Sequence, residues 1–424
     1  MKNFFDKLFF RSSNLDFISK SIKDITKHTT ANKIFDAINS FSLESEIRYV
    51  GGCIRKIING EKVDDIDLAT NLTPQDVCDA LEKANINYYE TGIDHGTITA
   101  VIDKQKFEIT TLREDISTDG RHAKVKFSQS WKDDSLRRDF TINSIYSDED
   151  GNLFDPHGGK QDLENGLINF IGEENERIKE DYLRILRYIR FFLNYSKQSH
   201  NLKTVKNLRM NISGVSKLSK ERLLDELKKT TKIYLLEKLS KDKICLELIQ
   251  IIFPEIKNVG IFSNFDKYKK HLINDNDFIF LLSLMIIDET DNADYFLYKY
   301  NLSKKDQKRI KLIHRFYLER TQKKIFTENN LNNIFYYEGK ETVIDIIKFK
   351  LIKSKKIDKN LKNLIYSFEK KNKPTMPINA DTLMNEYKVP RGKILGDKLK
   401  MIEKEWVRNN FEISETKLKS IIDN

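Results

Sequence analysis

YVGGCIRKIINGEKVDDIDLAT, residues 49–70, carries the strongest structural signal in the chain. A short apolar strand (Ile47, Tyr49, Val50) runs into the pair Gly51-Gly52, then a helical turn carrying Arg55, then a second strand presenting Asp65 and Asp67. Side chains alternate along a strand, so carboxylates at i and i+2 share a face with their Cα atoms roughly 6–7 Å apart. At that separation they can share two divalent ions about 3.5–4 Å from each other. The glycines permit a sharp turn into a helix start, whose free N–H groups offer a seat for phosphate. A phosphate seat beside paired carboxylates points to nucleotidyl transfer. Taken singly, a D-x-D is usually a solvated turn or cap, and a Gly-Gly just a turn; their spacing carries the reading. The stretch is neither a P-loop, for want of GxxxxGK[ST], nor a Rossmann fingerprint, for want of GxGxxG.

Downstream, the residues around 31–43 read as a helix, and Thr73-Pro74 starts another that runs through 75–84, with proline at its first position. Residues 88–91, 97–102 and 106–112 alternate as strands, the last two flanking a turn at 103–105; Glu108 lies on the third. Residues 113–131, REDISTDGRHAKVKFSQSW, are polar and weakly periodic, which reads as a loop or mobile ribbon in which His122 meets RNA or solvent rather than acting as an acid–base catalyst. DSLRRDFTINSIY (134–146) follows. Its adjacent arginines cannot share one helix face, so one faces the site and the other pairs locally. Arg138 is assigned to triphosphate, because a guanidinium fork suits phosphate oxygens, and Asp139 to orienting a neighbour. Residues 149–151 read as a hairpin turn. ERIKEDYLRILRYIRFFLNY (176–195) reads as one helix, with Tyr182, Ile185, Leu186, Ile189 and Phe192 as the buried stripe. Asp181 and Arg184 are neighbours beside it, and Arg187 and Arg190 continue the polar side.

These stretches, GGCIRK, D-x-D, RRDFTIN, the DPHGG of 155–159 and the E-D-x-x-R of Glu180–Arg184, together resemble the polymerase-β-like nucleotidyltransferases. Within them the match is to the class II tRNA CCA-adding enzymes and bacterial poly(A) polymerases. The resemblance covers residues 49–195, with its motifs in order. Lys56 stands where the family pattern GGxxRD has aspartate. It implies an α+β fold: a nucleotidyltransferase head with a mixed β-sheet, then an all-α neck, body and tail. It also implies that Asp65 and Asp67 bind Mg²⁺, with Glu108 a third acid, and that Gly52, Arg55 and Arg138 hold the triphosphate, Gly51 supporting. Asp181 and Arg184 would select the base, Arg187 and Arg190 would support that pocket or the phosphates, and Glu180 would hold Arg184. The TTLREDISTDGRHAKVKF segment is similar to the flexible lever of the proteobacterial and mitochondrial branch and argues against a CC-only enzyme.

The selection chemistry follows from the bases. C and A carry an exocyclic amino donor where U and G carry a carbonyl acceptor. A carboxylate at that position accepts from C or A and repels U or G. An adjacent guanidinium donating to the ring nitrogen completes a Watson–Crick-like reading without a template.

Bulk properties agree. A chain of 424 residues holds two to four domains, here 1–30 a leader helix of no assigned role, 31–160 the head, 161–235 the neck and 236–424 the body and tail. Net charge +10 favours a polyanionic partner. Three spaced cysteines with no CxxC indicate neither disulfides nor zinc. No apolar run approaches the roughly 20 residues of a membrane span. The N-terminus is basic and amphipathic, but Asp6 and Asp16 argue against a transit peptide; the expected location is the bacterial cytoplasm, with a mitochondrial signal as the alternative. Basic runs at 304–309, 353–356 and 370–373 can meet RNA phosphates, though each alone is more often a solvated face. Trp406 reads as core more readily than as an RNA-stacking platform. The expected partners are tRNA, CTP and ATP. The nearest rival is a poly(A) polymerase, and a rival of another class is a catalytically dead RNA-binding protein.

Overall fold

The computed structural model describes residues 2–118, 123–274, 277–321, 325–354 and 358–423. They divide into two compact units, Met1–Glu226 and Leu227–Asn424.

The first unit carries strands β1 (Ile47–Val50), β2 (Asp67–Thr70), β3 (Asn87–Gly92), β4 (Thr97–Ile102), β5 (Gln105–Thr111), β6 (Arg113–Thr118), β7 (Ala123–Phe127), β8 (Tyr146–Ser147) and β9 (Leu153–Phe154). Seven form one sheet in the order β3-β4-β5-β2-β1-β8-β9. The sheet is mixed: β2 runs parallel to β5, and the other neighbouring pairs are antiparallel. Helices α1 (Lys2–His28), α2 (Ala31–Asn39), α3 (Gly52–Ile58) and α4 (Pro74–Lys83) supply the apolar side. In α4, Thr73 caps the Asp76 N–H and Pro74 sits in the first turn. Ile34, Ile38, Ile54, Val77 and Leu81 pack on Ile47, Tyr49, Leu68, Ile98, Phe107 and Ile109, the inward residues of alternate strand positions. The period of two therefore turns Asp67 and Glu108 to the other face, which a smaller cluster (Val50, Ala69, Leu112, Tyr146) shares.

Two expectations change and one open alternative closes. The N-terminal segment is part of the head: Ile18 and Ile22 are fully buried in its core, and Thr26 hydrogen-bonds the Tyr49 hydroxyl at 2.8 Å. An Ile18/Ile22/Ile25 stripe gives that helix a face to bury. Of the two readings of the polar stretch after Arg113, loop or ribbon, the described residues form the ribbon: β6 and β7 pair antiparallel as a separate sheet, because backbone pairing needs no apolar face. His122 and the rest of 119–122 lie outside the described residues. Finally, the neck helix is two: α7 (Glu174–Glu180) and α8 (Leu183–Tyr195), reached after α5 (Trp131–Leu136) and α6 (Gly159–Asn165). Asp181 between them is extended (φ −148°, ψ 103°). Its carboxylate accepts the Leu183 N–H at 3.1 Å and its carbonyl the Arg184 N–H at 3.0 Å, the competing local bonds that make aspartate start helices rather than continue them. Helices α9 (Leu202–Asn211) and α10 (Lys220–Thr230) follow.

The second unit is helical from Ile233–Leu239 to Glu415–Asp423. Trp406 is buried against Tyr336 and Phe411, with ring centroids 5.5 and 5.1 Å away. In the first basic run, Arg309 is clamped by Asp277 and Asp345 at 2.5 and 2.6 Å, so it serves the fold. Lys355 and Lys356 lie outside the described residues. Among the described residues no helix is long and apolar enough to cross a membrane.

Candidate active site

The site is assembled where β1 turns into α3. Gly51 has φ +68°, a conformation that side chains resist, and the turn brings the backbone against two functional groups. A Cβ at Gly51 would lie 3.5 Å from the Arg138 guanidinium; one at Gly52 would lie 3.7 Å from the Asp67 carboxylate. Glycine turn, acid and arginine are thus in contact range.

Asp67 opens β2, directly beside Glu108 in the parallel β2–β5 register. Burial raises the Asp67 carboxyl above its ordinary pKa; Glu108 and Asp65 push the same way, while Arg138 and Arg55 oppose them. Three acids therefore share one electrostatic neighbourhood. Asp65 is exposed and lies two residues ahead of β2, so strand alternation alone does not set its direction. The ordered strand begins only at Asp67, where β5 supplies a pairing partner. Lys56, at the position that departs from the family pattern, pairs with Asp64 at 3.1 Å.

Both arginines of RRD are anchored by a residue the sequence reading passed over. Asp134 is fully buried, four positions before Arg138 on α5 and its end. Its Oδ1 accepts Arg137 Nε at 2.8 Å, and its Oδ2 accepts Arg138 Nη2 at 3.2 Å and the Tyr146 hydroxyl at 2.7 Å. Tyr146 also accepts from Arg138 Nε at 2.9 Å. Burial alone would raise the Asp134 carboxyl, but Arg138 and Arg137 hold it down, at about 2. Its i,i+3 and i,i+4 spacing to the arginines was the available signal. Because its folded pKa is depressed, its contribution to stability is complete above the unfolded carboxylate range and is lost as pH falls toward 2. Asp134→Asn should therefore destabilise the protein at neutral pH by roughly 3–5 kcal/mol, the scale of breaking a buried pair. In denaturant melts the gap to wild type should narrow below about pH 4.

Asp139 joins head to neck. Its carboxylate takes Arg187 Nε at 2.5 Å and Asn143 Nδ2 at 2.8 Å. Burial would raise it, but Arg187 and these hydrogen bonds hold it well below the usual carboxylate range. Asn143 in turn accepts from Arg55. Arg55 is buried, with its guanidinium 4.8 Å from the Phe191 ring centroid. Arg190 pairs with buried Glu226 and lies 4.2 Å over Phe191. Each is committed to a partner far away in sequence, which motif spacing does not reveal. The buried set of α8 is likewise wider than one stripe, adding Arg184, Tyr188, Phe191, Leu193 and Tyr195, while Tyr182 and Phe192 are half-buried.

In the neck turn, Arg184 is buried and donates through Nη1 to Glu180 at 2.9 Å and to the Arg177 carbonyl at 2.7 Å. Asp181 does not pair with it; the helix break turns its carboxylate to Arg222 Nη2 at 2.8 Å. Arg177, also passed over, reaches Glu180 with one nitrogen and the carbonyls of Arg137 and Arg138 with the other, both at 2.7 Å. The Glu180–Arg184 turn and the RRD segment are therefore directly bonded.

Comparison with known proteins fits this geometry. Residues 47–169 match the poly A polymerase head domain, and 271–422 the putative second domain of tRNA nucleotidyltransferases. The human mitochondrial CCA tRNA nucleotidyltransferase 1 is 45% identical over 187 residues, 43% of each chain, so the match spans less than half of that relative. The CCA-adding enzyme of Staphylococcus haemolyticus is 30% identical over 321 residues, 75% of each chain. The crystal structure of the Bacillus stearothermophilus CCA-adding enzyme in complex with CTP shares the fold, with TM-score 0.67 and 21% identity over 92% of this chain and 95% of that one. The chain belongs to the family of the CCA-adding enzymes.

Proposed function

We propose that this chain adds C, C and A in turn to the 3′ end of tRNA, using CTP and ATP and releasing pyrophosphate, with no nucleic-acid template. The observation that carries the reading is the contact of three parts: the Asp67–Glu108 pair, the glycine turn with Arg138, and the Glu180–Arg184 turn bonded to the RRD backbone. In this reading residues 31–160 do the chemistry, 161–235 choose the nucleotide and 236–424 hold tRNA through its shape and backbone charge. The location is the bacterial cytoplasm.

The donor set suits magnesium. It is all oxygen, and Asp67 stands where burial and two neighbouring acids disfavour its charge, a cost that a dication relieves. Asp65 and Asp67 would hold the ions, with Glu108 beside them. Bound magnesium supplies a lowered pKa for the RNA 3′-hydroxyl and a counter-charge for pyrophosphate. The protein's own groups do the rest. Arg138, fixed by Asp134 and Tyr146, binds the triphosphate beside the Gly51–Gly52 backbone. Arg55 adds positive charge from behind, and Arg187 fixes Asp139. Asp181 accepts the amino group of C or A, and Arg184 donates to the ring.

The test offers purified protein a tRNA lacking its terminal CCA, with labelled nucleotides. CTP alone should add two residues, ATP alone none, and both together three. A long A tract from ATP alone would establish a poly(A) polymerase instead. No extension under any condition would leave an RNA-binding protein.

A further inference from the structure

We propose that Arg177 is the positioning residue that ties base choice to triphosphate binding, an inference that rests on the function proposed above. Its guanidinium is a two-sided clamp. Nη1 binds the Glu180 carboxylate, the same Oε2 that receives Arg184 Nη1. Nη2 donates to the carbonyls of Arg137 and Arg138, which lie just past the C-terminus of α5, where helix acceptors lack intrahelical partners and a cation is favoured. Arg184 leans on the same frame through the Arg177 carbonyl at 2.7 Å and the Arg137 carbonyl at 3.4 Å. The guanidinium that reads the base and the one that grips phosphate are thus both located relative to Arg177.

The geometry explains why the residue is arginine. One planar fork spans a carboxylate on α7 and two carbonyls of the head, with donors aimed at both; an ammonium offers its hydrogens from a single nitrogen. Removing the fork leaves Glu180 with Arg184 as its remaining cation from this pair and takes a donor from each of two carbonyls. The turn carrying Arg184 is then free to shift against Arg138, and a mis-set base no longer displaces the triphosphate from its in-line position. Discrimination falls, while the metal-binding acids, on another element, are untouched.

The test compares wild type, Arg177→Met and Arg177→Lys for single additions of CTP and of UTP to a tRNA lacking CCA, with thermal melts of each. The expected result for Arg177→Met is a drop of about tenfold or more in the CTP:UTP ratio of kcat/KM, the scale of one lost charged hydrogen bond. KM for CTP should rise more than kcat falls. Lysine should restore part of the ratio. Should the methionine variant fail to fold, the lysine variant carries the test, with a several-fold loss expected. An unchanged ratio in the folded variants, with kcat lowered equally for both nucleotides, would overturn the proposal and leave Arg177 a purely structural residue. A wild-type protein that transfers neither C nor A overturns the functional reading itself, a failure seen before any variant is made.

Discussion

Asp67→Ala is expected to lower the rate of C addition by at least about 10³-fold, the scale on which preorganised charge stabilisation at a reacting centre is lost. Asp67 is the acid on which the others converge: Glu108 is its register partner, Asp65 precedes it by two residues, and the Gly52 backbone passes its carboxylate. The loss should not come from misfolding. Burial and then Glu108 raise its folded pKa, so the stability it contributes is present at acid pH and is lost as pH rises through that value; at neutral pH its charge is a cost in the metal-free chain. The variant should therefore melt no lower than wild type at pH 7 when no metal is added. Rapid-quench assays of single addition, paired with those melts, separate the two effects. Equal activity of variant and wild type would overturn the metal assignment.

Asp181→Ala is expected to relax base choice instead of stopping transfer. A site that hydrogen-bonds a substrate group rejects analogues lacking it by about 10⁴–10⁵-fold, since buried polar groups are left unpaired. Losing the acceptor should cost about 10²-fold of the CTP:UTP preference, most of it as faster UTP addition. Asp181 is engaged by Arg222 at 2.8 Å and by the Leu183 N–H, yet two carboxylate oxygens carry more acceptor sites than these two donors fill. A base amino group can join them. Competition assays with mixed CTP and UTP read the change directly; an unaltered product ratio would remove Asp181 from the selecting pair.

What the sequence made legible was local. The strand–glycine–helix turn, the β4–β5 hairpin with Asp103 and Lys104 at positive φ, and the Thr73 cap each depend on a few adjacent residues. What escaped it was set by distant partners. The apolar period continues through Ile178, Ile185 and Ile189 as though no break existed; the interruption at Asp181 comes from its own side chain competing for the next helix's N–H. Arg55 and Arg190 look like any motif arginine until Asn143 and Glu226, 88 and 36 positions away, claim them. Asp134 and Arg177 were within reach of a spacing argument, because each stands three or four positions from a group it holds. Both were hidden because a charged residue beside an arginine is, by default, an exposed ion pair.

A crystal of the protein grown with CTP and manganese would locate both the metals and the nucleotide, because manganese reports its position by anomalous scattering. The expected map has its anomalous peaks against the Asp65 and Asp67 carboxylates, the triphosphate along Arg138, and the cytosine edge against Asp181 and Arg184. Metal bound away from these aspartates, or a cytosine edge facing any other residues, would contradict it.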